Sequence, residues 1–403
     1  MKYFNDIGIN DELVRILKTK GFVHPTSIQE EAIPLILEGR DLIGQAETGS
    51  GKTAACGIPL IQLVDKSINA IQILILTPTR ELAMQYLDEV NSFANPYGVT
   101  SFVVYGGFDK GIQLSKLKSG VQILVATPGR ITDIIYNNQF PLASVKTFVI
   151  DEADEMMKMG FIEDIDFIRS CIIQEYQTLF FSATMPPPIK RLTKKYLKDA
   201  VHIRLNKEQI QPDRLAHAVV KVGRREKKRA LKVIFDRENI VQALIFCNTR
   251  TRAAGLYKDI KAAVEGVEFL HGGMDQRIRT RIVDRFRKKK IKYLITTDVM
   301  ARGIDIREVS HIVNYDIPDS PDMYIHRSGR TARLGKAGIS ISFVSTEDNQ
   351  SYNRIREEAG IRPELIELDL SSRRCAGTRR RGSRSTGQDR RAGSRGSQQK
   401  RKR

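Results

Sequence analysis

The sequence predicts an α/β protein with two domains, each built on a parallel β-sheet, followed by a basic tail. Three observations support this fold class. The chain has 403 residues, which is more than one typical core accommodates. Short apolar runs without polar alternation recur between helical patterns, as is typical of parallel strands buried on both faces. The series of runs stops once and then resumes, which predicts two domains.

The apolar runs that predict strands form two groups. The first group comprises residues 71–76, 101–105, 121–126, 147–150 and 178–183, and the second comprises 217–222, 243–246, 293–297, 311–315 and 339–344. Between the groups lies NKEQIQPDR (206–214), a polar stretch with a proline that is typical of a linker. The predicted boundaries are 1–205 for the first domain, 206–216 for the linker, 217–370 for the second domain and 371–403 for the tail.

Charge is concentrated at the C-terminal end of the sequence. The net charge is +19, and residues 373–403 supply +12 of it with 13 Lys or Arg and one Asp, which leaves +7 on the rest. A basic body with a more basic tail points to a polyanion, most often nucleic acid. The tail is rich in Arg, Gly and Ser and nearly devoid of apolar residues, so we expect it to be disordered. Electrostatic tethering of nucleic acid is its expected role; a solvated tail and a nuclear import signal are alternatives.

The sequence offers few signs of a membrane or secreted protein. No apolar run approaches the ~20 residues that cross a bilayer, and the N-terminus lacks the apolar core of a signal peptide. We therefore expect a cytoplasmic protein. Its four cysteines are scattered without metal-ligand spacing, so reduced thiols are expected rather than a disulfide framework or a zinc site.

A phosphate-binding loop is predicted at AETGSGKT (46–53), between a short apolar run and a helical pattern. Thr48, Gly49, Ser50 and Gly51 are small enough for successive backbone N–H groups to wrap a phosphate. Lys52 supplies a charge to the β and γ oxygens, and the Thr53 hydroxyl can ligate Mg²⁺. The strict pattern has Gly where this chain has Ala46. A glycine-rich turn without a ligand is the alternative.

The stretch FVIDEADEM (148–156) places four carboxylates directly after an apolar run. Acids are common at helix starts because the helix dipole favours negative charge there. Beside a phosphate loop, however, Asp151 at the carboxyl end of a buried strand is suited to hold Mg²⁺ through water. Glu152 is then placed to polarise an attacking water.

Ten motifs in a fixed order resemble those of the DEAD-box ATP-dependent RNA helicases, from Phe4 to about residue 345. They are GFVHPTSIQ (21–29), AETGSGKT (46–53), PTRELA (78–83), GG (106–107), TPGR (127–130), DEAD (151–154), SAT (182–184), QRIR (276–279), TTDVMARGID (296–305) and HRSGRTAR (326–333). The resemblance implies two tandem RecA-like domains of the P-loop NTPase type, with ATP between them and RNA across both. The compact core resembles bacterial members.

The resemblance also implies roles around the nucleotide. Gln29 would read the adenine edge, Phe4 would stack on the base and Asp305 would meet the ribose. Lys52 would bind phosphate and Thr53 would bind Mg²⁺. Asp151 would bind the metal through water, and Glu152 would act as the catalytic base. The arginine fingers implied for the γ-phosphate are Arg330 and Arg333.

Two further sets of residues follow from the same resemblance. Ser182 and Thr184 would relay the nucleotide state to the RNA grip together with Asp154 and His326, although the first two could simply cap the following helix. The residues implied to contact RNA are Arg80, Gly107, Thr127, Arg130, Gln276, Arg279 and Thr297. For any one of these arginines, a solvated or intraprotein ion-pair role is the alternative.

The function implied is RNA-stimulated ATP hydrolysis, with Mg²⁺, coupled to local non-processive unwinding of RNA duplexes or remodelling of RNA–protein complexes. Backbone gripping by Thr, Arg and Gly predicts little sequence preference. An ATP-gated RNA clamp and a DNA helicase are alternatives, and we expect a monomeric core.

Overall fold

Two seven-stranded sheets organise the chain. The structure, a computed structural model, describes residues 2–46, 50–138, 141–204, 214–302, 309–332 and 337–370. The described residues up to Leu368 form one compact unit that contains both sheets. The tail predicted at 371–403 and most of the predicted linker lie outside the described residues, and the predicted domain boundaries stay a prediction.

The first sheet runs in the order β3-β4-β2-β5-β6-β1-β7, and all its neighbouring strands are parallel. Its strands are β1 (Leu42–Gln45), β2 (Ile73–Leu76), β3 (Ser101–Val104), β4 (Ile123–Ala126), β5 (Thr147–Ile150), β6 (Gln177–Ser182) and β7 (Val201–Arg204).

The helices of the first domain connect these strands. A 3₁₀ helix (Phe4–Ile7) precedes α1 (Asp11–Thr19), α2 (Ser27–Leu37), α3 (Lys52–Leu63), α4 (Arg80–Tyr97), α5 (Lys110–Lys118), α6 (Pro128–Asn138), α7 (Ala153–Lys158), α8 (Ile162–Ser170) and α9 (Pro187–Tyr196).

The second sheet repeats the all-parallel design in the order β10-β11-β9-β12-β13-β8-β14. Its strands are β8 (Leu215–Lys221), β9 (Ala243–Phe246), β10 (Val267–Phe269), β11 (Tyr293–Thr296), β12 (His311–Asn314), β13 (Gly338–Val344) and β14 (Glu364–Leu365). Its helices are α10 (Lys227–Arg237), α11 (Arg250–Ile260), α12 (Gln276–Arg287), α13 (Asp298–Arg302), α14 (Pro321–Ser328) and α15 (Asn349–Glu358).

Continuous apolar runs form these strands because both faces of each sheet are covered. Along β2, Ile73 and Ile75 belong to one hydrophobic cluster, and Leu74 and Leu76 belong to another on the opposite face. Successive side chains of a strand point to opposite faces, so a strand covered on both sides needs apolar residues at every position. The predicted α/β class with two parallel sheets is confirmed.

Every predicted apolar run coincides with an observed strand, within one or two residues at its ends. Four strands, β1, β7, β10 and β14, are absent from the two groups of apolar runs, although a short apolar run precedes the phosphate loop, where β1 lies. These strands are short or lie at sheet edges, and β7 and β14 carry exposed residues, so their sequences lack a long apolar run.

Two properties of the described residues bear on location and redox chemistry. None of their helices is long and apolar enough to cross a membrane. Cys56, Cys171 and Cys247 are free thiols, and Cys375 lies outside the described residues.

One buried histidine makes the stability of the fold depend on pH. Burial of the His311 side chain lowers its pKa from 6.5 to about 4, with Glu238 Oε2 still 4.0 Å from Nε2. Between pH 6.5 and 4, the His311 imidazole therefore binds a proton in the unfolded chain but stays neutral in the folded chain. Folding stability should fall by up to about 3 kcal/mol as pH falls through this window.

This effect can be measured by urea unfolding across that pH range. His311→Gln should flatten the dependence of unfolding free energy on pH, whatever its effect at neutral pH. His24→Gln, which changes an exposed histidine, serves as the control. Equal slopes for wild type and His311→Gln would contradict the assignment.

Candidate active site

Strand order divides the carboxyl edge of the first sheet into two halves. The phosphate loop follows β1, Asp151 and Glu152 follow β5, and the relay residues Ser182 and Thr184 lie at the end of β6; these three strands are adjacent. The predicted RNA residues Arg80, Gly107 and Thr127 follow β2, β3 and β4, which are adjacent on the other side. Parallel strands all end at one edge, so six loops that are far apart in sequence converge there.

The phosphate loop leads directly into α3. Gly51, the residue before this helix, has a φ of +94°, and a Cβ atom there would lie 2.8 Å from Gln29 Nε2, so only glycine fits. Lys52 begins the helix; its ammonium group is buried and donates a hydrogen bond to Ala46 O at 2.6 Å. Ser50 and Thr53 are half-buried. Thr48 and Gly49 lie outside the described residues.

Asp151 and Glu152 stand at the end of β5 with raised pKa values. For Asp151 the cause is burial, opposed by Lys52 and by the Glu152 N–H, which donates to Oδ1 at 2.9 Å. Burial and the Asp151 charge raise the pKa of Glu152 to about 7, against the lowering effects of Lys52 and Arg330. Glu152 also has a φ of +54°, an uncommon conformation for a side chain of this size that is often found at functional sites.

The predicted relay residues are brought together. Thr184 Oγ1 donates a hydrogen bond to Asp154 Oδ2 at 2.8 Å, and Ser182 Oγ donates to Thr184 O at 2.7 Å. Burial works to raise the pKa of Asp154, but the Thr184 hydroxyl and the charges of His326, Lys158 and Lys52 lower it overall. Helix α9 begins after Pro186 without a side-chain cap, so the hydroxyls at 182 and 184 do not serve as its cap.

The two residues predicted to meet the adenine base differ in placement. Gln29 is buried beside the phosphate loop: its Oε1 accepts from Thr26 N at 2.9 Å, and its Nε2 donates to Gly51 O at 3.3 Å. Phe4 is 1% exposed within the hydrophobic core. The structure therefore presents no open face of the Phe4 ring to a base, and the predicted stacking stays a prediction.

The predicted RNA residues of the first domain form one connected group. Gly107 has a φ of +85° and lies against the Arg80 guanidinium, where a Cβ atom would collide with it. Arg130 Nη1 donates to Phe108 O at 3.0 Å, and Thr127 directly precedes the helix that carries Arg130. Arginine groups and open backbone at one edge suit a phosphate backbone.

The second domain contributes fewer described residues. Thr297 is half-buried after β11, and Arg330 is buried after α14. Gln276 begins α12, but its side chain lies outside the described part of the structure, as do Asp305 and Arg333.

Three pairs of charged groups face each other from the two sheets. Arg330 is close enough to Glu152, and His326 to Asp154, for each to lower the pKa of its partner. Arg279 Nη2 forms an ion pair with Glu81 Oε1 of the first domain. Arg279, predicted to contact RNA, is thus placed in the intraprotein ion pair that the sequence left open as the alternative; its RNA contact stays a prediction.

Two family models match the chain in tandem. The model described as DEAD/DEAH box helicase matches residues 26–192, and that described as Helicase conserved C-terminal domain matches residues 226–335. ATP-dependent RNA helicase CshA of Listeria monocytogenes is 42% identical over 358 residues, covering 89% of this chain and 69% of that protein. Its namesake in Limosilactobacillus reuteri is 40% identical over 359 residues, covering 89% and 72%. The chain belongs to the DEAD-box family of ATP-dependent RNA helicases.

Solved structures agree with this DEAD-box assignment. S. cerevisiae Dbp5 bound to RNA and ADP BeF3 is 32% identical, with a TM-score of 0.83 over 91% of this chain and 96% of that one. A Dbp5 variant bound to a Gle1 variant and IP6 is also 32% identical, with a TM-score of 0.74 over 92% and 95%. The two sheets are therefore arranged more like the complex with RNA and nucleotide, in keeping with the three facing charge pairs.

Arg250 is a candidate RNA-contact residue that the sequence analysis did not single out. It begins α11 after β9, and its Nη1 would lie 3.0 Å from a Cβ atom at Gly273, after β10. Arg80 begins α4 after β2 and lies against Gly107 after β3 in the same manner. The signal was present in the sequence: Thr79-Arg80 and Thr249-Arg250 repeat, and each threonine caps its helix.

A buried arginine network holds the loops of the second domain in place. Arg327 Nη2 donates to Asp298 Oδ2 at 2.6 Å and to Asn248 Oδ1 at 2.9 Å. Its Nη1 donates to Asn314 Oδ1 at 3.2 Å and to Asp316 O at 2.7 Å. One side chain thus ties together the ends of β9, β11 and β12. Sequence reasoning singled out HRSGRTAR but assigned this position no role.

We predict that the Glu81–Arg279 pair supports closure of the two sheets. Arg279→Glu should place two carboxylates together, weaken closure and lower RNA-stimulated ATP hydrolysis at subsaturating RNA. Exchanging the charges in Glu81→Arg/Arg279→Glu should restore much of the loss, because the ion pair re-forms. The measurements are ATPase rate and the radius of gyration by small-angle X-ray scattering with RNA and an ATP analogue. No recovery in the double variant would contradict a role in closure.

Proposed function

We propose that this DEAD-box helicase hydrolyses ATP between the two facing sheets, using Lys52, Glu152 and Arg330 together. The observation that carries the proposal is the facing of Glu152 and Arg330 across the two domains. A base from one domain and an arginine from the other make hydrolysis depend on closure.

The residues at this edge fit a magnesium nucleotide. Thr53 follows Lys52 in α3, and the Asp151 carboxylate is half-buried at the end of β5. No group of three or more His, Cys, Asp or Glu side chains in the described ranges forms a metal cage. Mg²⁺ on a nucleotide needs only one or two protein ligands besides phosphate oxygens. When bound, Mg²⁺ neutralises charge on the β and γ oxygens; Thr53 would hold it directly and Asp151 through water.

Each catalytic side chain has a role suited to its environment. Lys52, buried at the start of α3, supplies positive charge where the helix N-terminus also favours phosphate. Glu152, whose pKa is about 7, can accept a proton from water near neutral pH. Arg330 stabilises the charge that spreads over the γ-phosphoryl oxygens. Arg333 and Asp305 are proposed as a second finger and a ribose ligand by resemblance alone.

RNA is proposed to lie along the other half of the edge. Arg80, Gly107 and Arg130 form the connected group in the first domain, and Arg250 with Thr297 continues it in the second. Arg279 pairs with Glu81 and is almost fully buried, so its proposed contact with RNA rests on the resemblance alone. A strand held by both domains would bend when they close, which displaces its complement.

The experiment that tests this mechanism removes the proposed base. Glu152→Gln keeps the shape of the side chain but cannot accept the proton, so kcat should fall by about two orders of magnitude or more, with RNA and nucleotide binding retained. Steady-state ATPase with and without RNA measures the effect.

Glu155→Gln is the matched control for this experiment. Glu155 is a buried acid of α7, the helix that begins directly after Glu152; it lies 3.7 Å from Lys158 Nζ and has no proposed chemical role. It should retain most of the activity. A Glu152→Gln variant as active as Glu155→Gln, or a wild type without ATPase activity, would refute the mechanism.

Closure also predicts that ATP and RNA tighten each other's binding. Both ligands contact both domains, so each should favour the same closed arrangement. At fixed salt, a non-hydrolysable ATP analogue should lower the dissociation constant for single-stranded RNA by about tenfold, within the usual 5- to 150-fold range. An RNA affinity unchanged by the analogue would contradict this coupling.

Strand displacement on a short RNA duplex, with ATP turnover followed alongside, separates unwinding from clamping. ATP turnover without strand displacement would favour an ATP-gated RNA clamp over a helicase. In a separate comparison, equal stimulation of ATP hydrolysis by RNA and by DNA of the same length would favour a DNA helicase.

A further inference from the structure

An exposed apolar pair lies beside the proposed RNA grip of the first domain. Phe108, four residues after β3, is 45% exposed, and Ile112 on the first turn of α5 is 53% exposed. Their neighbours Gly107 and Arg130 belong to the proposed RNA surface. The proposed function gives neither apolar side chain a role.

The loop that carries Phe108 is held in one conformation. Gln113, which is fully buried, donates from Nε2 to Tyr105 O at 3.3 Å, Phe108 O at 3.2 Å and Asp109 O at 3.2 Å. Its Oε1 accepts from Tyr105 N at 3.0 Å. The Phe108 ring is thus presented on a fixed support, which lowers the entropic cost of a contact with a ligand.

Two arginines contact the backbone next to this ring. The Arg130 guanidinium binds the Phe108 carbonyl at 3.0 Å, and the Arg80 guanidinium lies against Gly107. Lys110 is paired with Asp133 at 2.9 Å, and Asp109 accepts a hydrogen bond from Ile112 N at 2.9 Å, so Arg80 and Arg130 are the cations in contact with the backbone at Gly107 and Phe108. Proteins bind single-stranded nucleic acid with exposed aromatic rings next to cations: the ring stacks on a base, and the cations contact the phosphate backbone.

We propose that Phe108 stacks on one base of the RNA strand whose backbone Arg80 and Arg130 hold. The inference rests on the proposed function and adds a base contact to a grip otherwise made to the backbone. Stacking accepts any base, since every base has a π face, so little sequence preference is still expected. The partial contact of the ring with Tyr105, at 6.1 Å between centroids, leaves a face for the base.

The first experiment compares Phe108→Ala with Ile173→Ala in the full chain. Ile173 is a matched control: it is 78% exposed and precedes β6 by four residues, at the opposite edge of the same sheet. Dissociation constants are measured with an ATP analogue for a short single-stranded oligoadenylate and for an abasic strand of the same length.

Phe108→Ala should weaken oligoadenylate binding by about five- to tenfold and change binding of the abasic strand little. Ile173→Ala should change neither.

A spectroscopic arm exploits the composition of the chain. The sequence contains no tryptophan, so Phe108→Trp introduces a single indole on the proposed surface. Its fluorescence should be quenched by oligoadenylate and not by the abasic strand, whereas that of Ile173→Trp should respond to neither. This arm reports stacking even if Phe108→Ala were poorly folded.

The outcomes separate this proposal from the proposed function. Unchanged oligoadenylate binding by Phe108→Ala, with no quenching in Phe108→Trp, would overturn the stacking proposal and leave the face to a protein partner. If Phe108→Ala lost equal affinity for oligoadenylate and for the abasic strand, the stacking proposal would be overturned, because the effect would then act on binding of the backbone. A wild type that binds neither strand and shows no RNA-stimulated ATPase would overturn the proposed function and this inference with it.

Discussion

Everything in this molecule depends on the rule that parallel strands all end at the same edge of a sheet. The loop after β1, which ends at residue 45, is about a hundred residues or more from the loops after β5 and β6, which end at residues 150 and 182, yet the three loops meet at one edge because of strand order. The second sheet has the same design; Arg279 lies in α12, the helix after β10, and Arg330 follows α14, the helix after β12. Two such edges that face each other bring acids of one domain to the cations of the other.

Strand order also explains how one edge serves two ligands. The nucleotide half and the RNA half of the first sheet meet where β5 and β2 are neighbours. Asp154, just beyond β5, accepts a hydrogen bond from Thr184 and feels the charge of His326 from the second domain. A movement of the second domain would therefore change the contacts of Asp154, which follows the strand that borders the RNA half. Coupling between the nucleotide site and the RNA site needs no long chain of residues, because both sites lie at the same edge of one sheet.

Sequence patterns predicted most of the fold and much of the site, because both depend on local features. Buried strands need apolar residues at every position, and the phosphate loop has its own signature. What the sequence did not reveal depends on tertiary contacts. The Arg279–Glu81 pair joins two domains, and the burial of Phe4 depends on its packing in the core of the first domain. Arg250 could have been found from its repeat of Arg80, whereas the Arg327 network requires three loops to be assembled first.

The facing charges also explain why closure can be controlled by ligands. Glu152, Arg279 and Arg330 are almost fully buried here, whereas in separated domains water would solvate them. Removing such groups from water costs several kcal/mol each, and their mutual attraction offsets that cost only in part. The buried charges by themselves therefore do not favour closure of the two domains. Ligands that bind the closed arrangement more tightly than the open one would supply the missing free energy, which is how we propose that ATP and RNA control closure.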